Sequence, residues 1–95
     1  MKNNFTLKIY TENNMKMLNT ISSIFTKRNI NIESIVTSEV IAEDMIGYKI
    51  VIYENKNVVK MLVSKLEKLV KVIKVDIEED KEITSIISIK SNSGY

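Results

Sequence analysis

The sequence predicts an α+β fold, a four-stranded antiparallel sheet with two helices on one face, in the element order βαββαβ. Three observations lead there. Apolar and polar residues alternate with period two over residues 5–9, 48–52 and 73–77, and a run rich in β-branched residues lies between Ile30 and Ile41. Two stretches with apolar residues three and four positions apart separate these runs. The chain has 95 residues, enough for one hydrophobic core and too few for two.

Taken in order, Phe5, Leu7 and Ile9 alternate with Thr6, Lys8 and Tyr10, the pattern of a strand with one buried face. Asn13 or Asn14 follows as a candidate helix cap, because a short amide side chain accepts hydrogen bonds from first-turn amides. Met17, Leu18, Ile21, Ile24 and Phe25 then form one helical stripe, and the helix is expected to end near Arg28 and Asn29. Ile30, Ile32 and Ile35 lead into a second strand running to about Ile41, and Glu43 and Asp44 mark a turn. Tyr48, Ile50 and Ile52 alternate with Lys49, Val51 and Tyr53 in a third strand, which makes a hairpin with the second. Asn55 or Asn57 is positioned to cap a second helix with the stripe Val58, Leu62, Leu66 and Leu69. Ile73, Val75 and Ile77, alternating with Lys74, Asp76 and Glu78, give the fourth strand.

Right-handed crossovers in both strand-helix-strand units put the two helices on the same sheet face, the ferredoxin-like arrangement. The other face is left open, with Val36, Val51 and Tyr53 available to be covered by a second chain. Residues 1–80 are thus expected to form the domain. Residues 81–95 form a tail in which Ile83 to Ile89 reads as a further strand, the start of a second domain or an element pairing within a dimer.

Composition narrows the chemistry. With no cysteine and no histidine, the chain lacks thiolate metal sites, disulfides and the commonest general base and metal ligand. No catalytic or metal-ligating set is therefore expected. The net charge of +2 is small, and the first half balances five basic against five acidic residues. The excess sits around the second helix, at Lys56, Lys60, Lys65, Lys68, Lys71 and Lys74, either a solvated face or an attraction for an acidic partner. No apolar run approaches the roughly 18 residues of a membrane span, and the start lacks the apolar core of a secretory signal; a cytoplasmic protein without membrane or nucleic-acid partners is expected. A metal chaperone of this fold would need paired thiolates. An acyl phosphatase would need a bidentate cation over the phosphate, and Arg28 lies at the wrong end of the first helix. A sheet-surface RNA binder would need stacking aromatics, and Tyr48 and Tyr53 fall on opposite faces of the third strand.

Two segments carry a more specific signal. Glu12-Asn13-Asn14-Met15-Lys16-Met17-Leu18 heads the first helix, and Ile24-Phe25-Thr26-Lys27-Arg28-Asn29-Ile30-Asn31-Ile32-Glu33-Ser34-Ile35 closes it and opens the second strand. Together they resemble the amino-terminal ACT domain of the small regulatory subunit of acetolactate synthase (acetohydroxyacid synthase), whose segments run roughly E-N-x-x-G-x-L and L-F-x-R-R-G-Y-N-I-E-S-L. Residues 66–75 look like that family's second helix and fourth strand, and Ser93-Gly94-Tyr95 is similar to a later segment, so the resemblance spans nearly the whole chain.

The resemblance implies a non-catalytic subunit of branched-chain amino-acid biosynthesis that binds and activates the large catalytic subunit. Thiamine diphosphate would belong to that partner, with no cofactor in this chain. It also implies a homodimer formed through sheet and helix pairing, with a branched-chain amino acid, usually valine, at the interface. Carried over residue by residue, Asn13, Asn14, Met15, Lys16, Met17 and Leu18 would line the effector loop, with Asn31 and Ile32 facing them as a second wall. A helix amino terminus suits such a ligand, because its unpaired amides and partial positive charge favour a carboxylate. The same residues have plainer readings: Asn13 or Asn14 as a cap, Met17 and Leu18 as core, Asn31 as a turn residue. Two departures qualify the resemblance. Lys16 and Asn29 stand where the family has glycine, and a side chain at the first of these could obstruct close approach of a ligand to the backbone. Dimerisation and partner binding are therefore expected to persist while valine sensing is weakened or lost. The alternatives are a stand-alone amino-acid-binding ACT module and a sheet-surface RNA-binding domain.

Overall fold

In the computed structural model the described residues are 1–80 without Met15 and Glu43, and nothing is described of the side chains of residues 38–41 and 80. The expected strand at 83–89 lies outside the described residues. The elements are β1 (Lys2–Glu12), α1 (Met17–Lys27), β2 (Ile32–Ala42), β3 (Met45–Asn55), α2 (Lys56–Glu67) and β4 (Val72–Asp80). The strands lie in the order β2-β3-β1-β4 with every neighbouring pair antiparallel. This is the expected ferredoxin-like βαββαβ fold.

β1 and β3 form the centre, in one unbroken register from Lys2 opposite Asn55 to Glu12 opposite Met45. Their alternation is read directly in burial: Phe5, Leu7, Ile9, Tyr48, Ile50 and Ile52 all turn into the core. Met17, Ile21 and Phe25 from α1 and Val59, Leu62 and Leu66 from α2 join the same cluster, so both helices cover one sheet face. Each such side chain contributes about 1.5–3 kcal/mol on burial. The α2 stripe is rotated slightly from the expected one. Val59 is buried, whereas Val58 and Leu69 only pack at the margin of the core.

β4 departs further. Its register against β1 shifts between Tyr10 and Thr11, whose partners are Lys74 and Val72. The extra residue, Ile73, is left out of the alternation and is exposed, while Val72 and Val75 pack against the core. The expected single face of Ile73, Val75 and Ile77 is therefore broken by a bulge.

The helix ends show why the chain reverses where it does. Asn55 caps α2, its Oδ1 accepting the Val58 N–H at 3.0 Å. α1 has no such cap. It starts from Lys16, whose side chain makes no cap bond, and Asn14 instead accepts the Lys16 N–H through Oδ1 at 2.9 Å, a turn one step ahead of the helix. At the other end Asn29 has φ 57°. Its N–H donates to the Thr26 carbonyl and the Ile30 N–H to the Phe25 carbonyl, both at 3.0 Å, closing the helix in a Schellman motif with Ile30 buried.

The open face carries Thr6, Lys8 and Tyr10 of β1, Lys49, Val51 and Tyr53 of β3, Val36 of β2 and Lys74, Asp76 and Glu78 of β4, as the strand register requires. Val36 and Tyr53 are about half exposed there, at 54% and 50%. Lys74 pairs with Asp76 at 3.5 Å and sits 5.9 Å from the Tyr10 ring centroid.

Candidate functional site

The loop between β1 and α1 is held at its root from two sides. The Glu12 N–H donates to the Lys71 carbonyl at 3.0 Å, in the turn before β4, and the Asn13 N–H donates to the Asp44 carbonyl at 2.9 Å, in the β2–β3 hairpin. Thr11, fully buried beside the β4 bulge, satisfies its hydroxyl on the Glu12 carbonyl at 2.8 Å. Of these anchoring residues only Asn13 was among the candidates, and there for its side chain; Thr11, Asp44 and Lys71 were not. Thr11 does continue the odd-numbered alternation of Phe5, Leu7 and Ile9, which is the signal that would have found it.

Within the loop, Asn13 is exposed and Asn14 half-buried, and Met15 lies outside the described residues. Asn14 is occupied on both its oxygens: Oδ1 takes the Lys16 N–H and its carbonyl takes the Met17 N–H at 3.0 Å. Lys16 is exposed with φ −83° and ψ −11°, in the ordinary right-handed region, so this position places no demand that glycine alone could meet. What lysine adds is bulk and a positive charge, not backbone strain. The Lys16 carbonyl accepts both the N–H and the hydroxyl of Thr20 at 3.1 Å. Met17 is a core residue at 5% exposure, while Leu18 is exposed. The first turn of α1 holds no acidic residue, and a helix amino terminus of this kind favours an anionic group.

Asn31 and Ile32 do not meet this loop within the chain. Ile32 opposes Ile52, which in turn opposes Phe5, whereas the loop follows Glu12. The separation is seven residues of β1, roughly 23 Å. The expected two walls therefore stand at opposite ends of one domain. The reason is topological: α1 carries the chain the length of the sheet before β2 begins, and β2 returns toward the loop only at Ala42, which opposes Met45. Asn31 is exposed and Ile32 half-buried, both on the free edge side of the sheet. A two-fold antiparallel pairing of β2 edges would bring one chain's Asn31 end toward its partner's loop end, so a site made from both segments requires two chains.

On the open face at the loop end lies a hollow of about 280 Å³ lined by Tyr10, Met45, Ile73 and Lys74. Gly47 opposes Tyr10 across the β1–β3 ladder. Tyr10 thus shares the open face with Tyr53, a pairing that the sequence reading did not weigh. The two lie six residues apart along β1, because Tyr53 opposes Asn4, and at about 20 Å they do not form one base-stacking platform.

A four-stranded antiparallel sheet backed by two helices in the order βαββαβ is the ferredoxin-like architecture that ACT domains adopt. The chain belongs to the AHAS small subunit-like ACT domain family, whose model matches residues 7–74. No curated protein sequence matches the chain well enough to count as a relative. Among solved structures, the ACT domain of GTP pyrophosphokinase from Chlorobium tepidum is similar at TM-score 0.70 and 23% identity, covering 82% of this chain and 100% of that one. The acetolactate synthase small subunit from Thermotoga maritima is similar at TM-score 0.70 and 20% identity, over 78% of this chain and 46% of that one. A homoserine dehydrogenase from Thiobacillus denitrificans shares the fold at TM-score 0.70 and 18% identity, over 83% of this chain and 17% of that one. The chain spans about half the length of the Thermotoga small subunit. Among the described residues no helix is long and apolar enough to cross a membrane.

Proposed function

We propose that the chain is a non-catalytic regulatory subunit of acetolactate synthase, acting in branched-chain amino-acid biosynthesis on a thiamine-diphosphate-dependent large subunit. The observation that supports this is the family match over residues 7–74, which includes both the loop and the helix-to-strand segment. The cofactor belongs to the partner. Two copies pair, and the effector, a branched-chain amino acid such as valine, lies between Asn13, Asn14, Lys16 and Leu18 of one copy and Asn31 and Ile32 of the other. Lys16 weakens valine sensing by occupying space beside the helix amides, while pairing and partner binding persist.

The test is acetolactate formation by the large subunit with and without this protein. A higher rate with it supports the reading, and an unchanged rate at saturating protein refutes it. Titration calorimetry with valine tests the effector separately: micromolar binding to the dimer would refute the claim of weakened sensing. A second reading, an ACT module without an enzyme partner, draws on the full coverage of the Chlorobium ACT domain, a domain of a different enzyme. Co-purification of the large subunit separates the two.

A further inference from the structure

The outward face of α2 is charged in a way that works against the helix itself. Residues 56–71 contain five lysines and one glutamate, a formal charge of +4, and Lys56, Lys60, Lys65, Lys68 and Lys71 are all exposed. Lys56 and Lys60 are four residues apart and Lys65 and Lys68 three apart, spacings at which like charges on a helix repel. Lys56 is also the first helical residue, where the partial positive charge of the helix end disfavours a cation, and the first turn holds no acid to offset it. The ion pairs among the described residues, Lys2 with Glu54 and Lys74 with Asp76, involve none of these lysines. α1 offers the contrast. Its mid-helix outward residues Asn19, Thr20, Ser23 and Thr26 are uncharged and its basic residues Lys16, Lys27 and Arg28 sit at its two ends, so a charged face running along the helix belongs to α2.

The lysines also frame apolar surface. Met61 is exposed at 37% in the middle of α2, and Val70, in the turn between Lys68 and Lys71, is exposed at 93%. A β-branched residue held almost fully in water suits an apolar anchor at a protein interface, where a polar rim surrounds the buried centre. Nucleic acid is matched less well. The face has no arginine for bidentate phosphate contact and no aromatic residue for stacking.

We infer that the outward face of α2 and the following turn form the docking surface for an acidic patch on the catalytic subunit, with Met61 and Val70 as anchors and the lysines as steering charges. This rests on the regulatory-subunit reading and names the surface through which it operates. An acidic partner would relieve the Lys56–Lys60 and Lys65–Lys68 repulsions, so the cost carried by the free helix is recovered on binding. Rim charges of this kind act chiefly on the association rate and its salt dependence.

The experiment measures binding of the full chain to immobilised large subunit, comparing wild type with Lys56→Glu/Lys65→Glu and with Met61→Ser/Val70→Ser. The charge variant brings the segment to neutrality and turns both like-charge pairs into Glu-to-Lys pairs of the favoured orientation. The change at Lys56 also suits the helix start, whereas the change at Lys65 places an anion in the last turn, where the helix end disfavours it. The thermal midpoint should therefore stay close to that of wild type while the association rate falls about tenfold at low salt. The wild-type rate should fall steeply between about 50 and 300 mM salt and the variant's should not. The anchor variant should dissociate faster with an unchanged association rate. If wild type binds and the charge variant binds equally well at every salt concentration, this surface assignment is overturned while the regulatory reading stands. If wild type does not bind the large subunit at all, the regulatory reading fails and takes this inference with it. Tighter binding of wild type to single-stranded RNA than to the large subunit, lost in the charge variant, would overturn the assignment in favour of a nucleic-acid surface.

Discussion

Replacing Asn29 by alanine, glycine and valine isolates the backbone conformation that ends α1. Asn29 has φ 57°, a region in which a Cβ atom costs roughly 1–2 kcal/mol, relieved in part for asparagine by its short polar side chain. Alanine keeps the Cβ and loses that relief, so Asn29→Ala should cost about 1 kcal/mol. Valine, β-branched as well, should cost about 2 kcal/mol or more. Glycine escapes the clash but gains freedom in the unfolded chain, about 0.5–1 kcal/mol in the opposite direction, leaving Asn29→Gly within about 0.5 kcal/mol of wild type on either side. For a domain this small each kcal/mol moves the thermal midpoint by roughly 4–8 °C. Thermal and urea melts followed by far-ultraviolet circular dichroism would read the series, which should run Gly and Asn together, then Ala, then Val. The acceptors of the Asn29 and Ile30 N–H groups, the Thr26 and Phe25 carbonyls, are untouched by the substitutions, so the ranking reports the conformational preference of position 29. Equal stability of the alanine and asparagine forms, or glycine as the least stable of the set, would refute the argument.

Two further outcomes are expected. Asn55→Ala removes the acceptor of the Val58 N–H and should destabilise the domain by about 0.5–2 kcal/mol in a urea melt, whereas Asn13→Ala, at an exposed residue with no side-chain cap bond, should be close to neutral. Lys16→Gly should alter stability by only about 0.5 kcal/mol, since the residue is exposed and right-handed, but calorimetric affinity for valine should rise; an affinity equal to wild type would show that the lysine side chain is not what weakens sensing.

The elements with one clean periodicity were legible from the sequence. The core face of β3 was legible in Tyr48, Ile50 and Ile52, although the strand itself runs further at both ends, Met45–Asn55, and the α1 stripe was recovered in Met17, Ile21 and Phe25. The errors arose where local chemistry offered two equivalent solutions or where the third dimension intervened. Asn13 and Asn14 were both plausible caps, yet Asn14 was used for a turn ahead of the helix, which periodicity cannot detect. The β4 bulge was hidden because Ile73 keeps the alternation in sequence while the ladder places Val72 inward. The candidate site suffered most. Asn31 lies close to the loop in family signature but a full sheet length away in one chain, and an eleven-residue α1 spanning about 16 Å was enough to show it.

The two ladders flanking β3 differ in a way that bears on how such domains diversify. β1 and β3 hold one register across eleven pairs, while the register of β2 against β3 shifts in three places. Gaining or losing a residue in β1 would turn every later side chain to the wrong face, Phe5, Leu7 and Ile9 among them, and would be purged. In β2 the irregularities already absorb such changes. Length variation between descendants of this domain should therefore collect in β2, letting one edge drift to suit new neighbours while the central pair stays fixed.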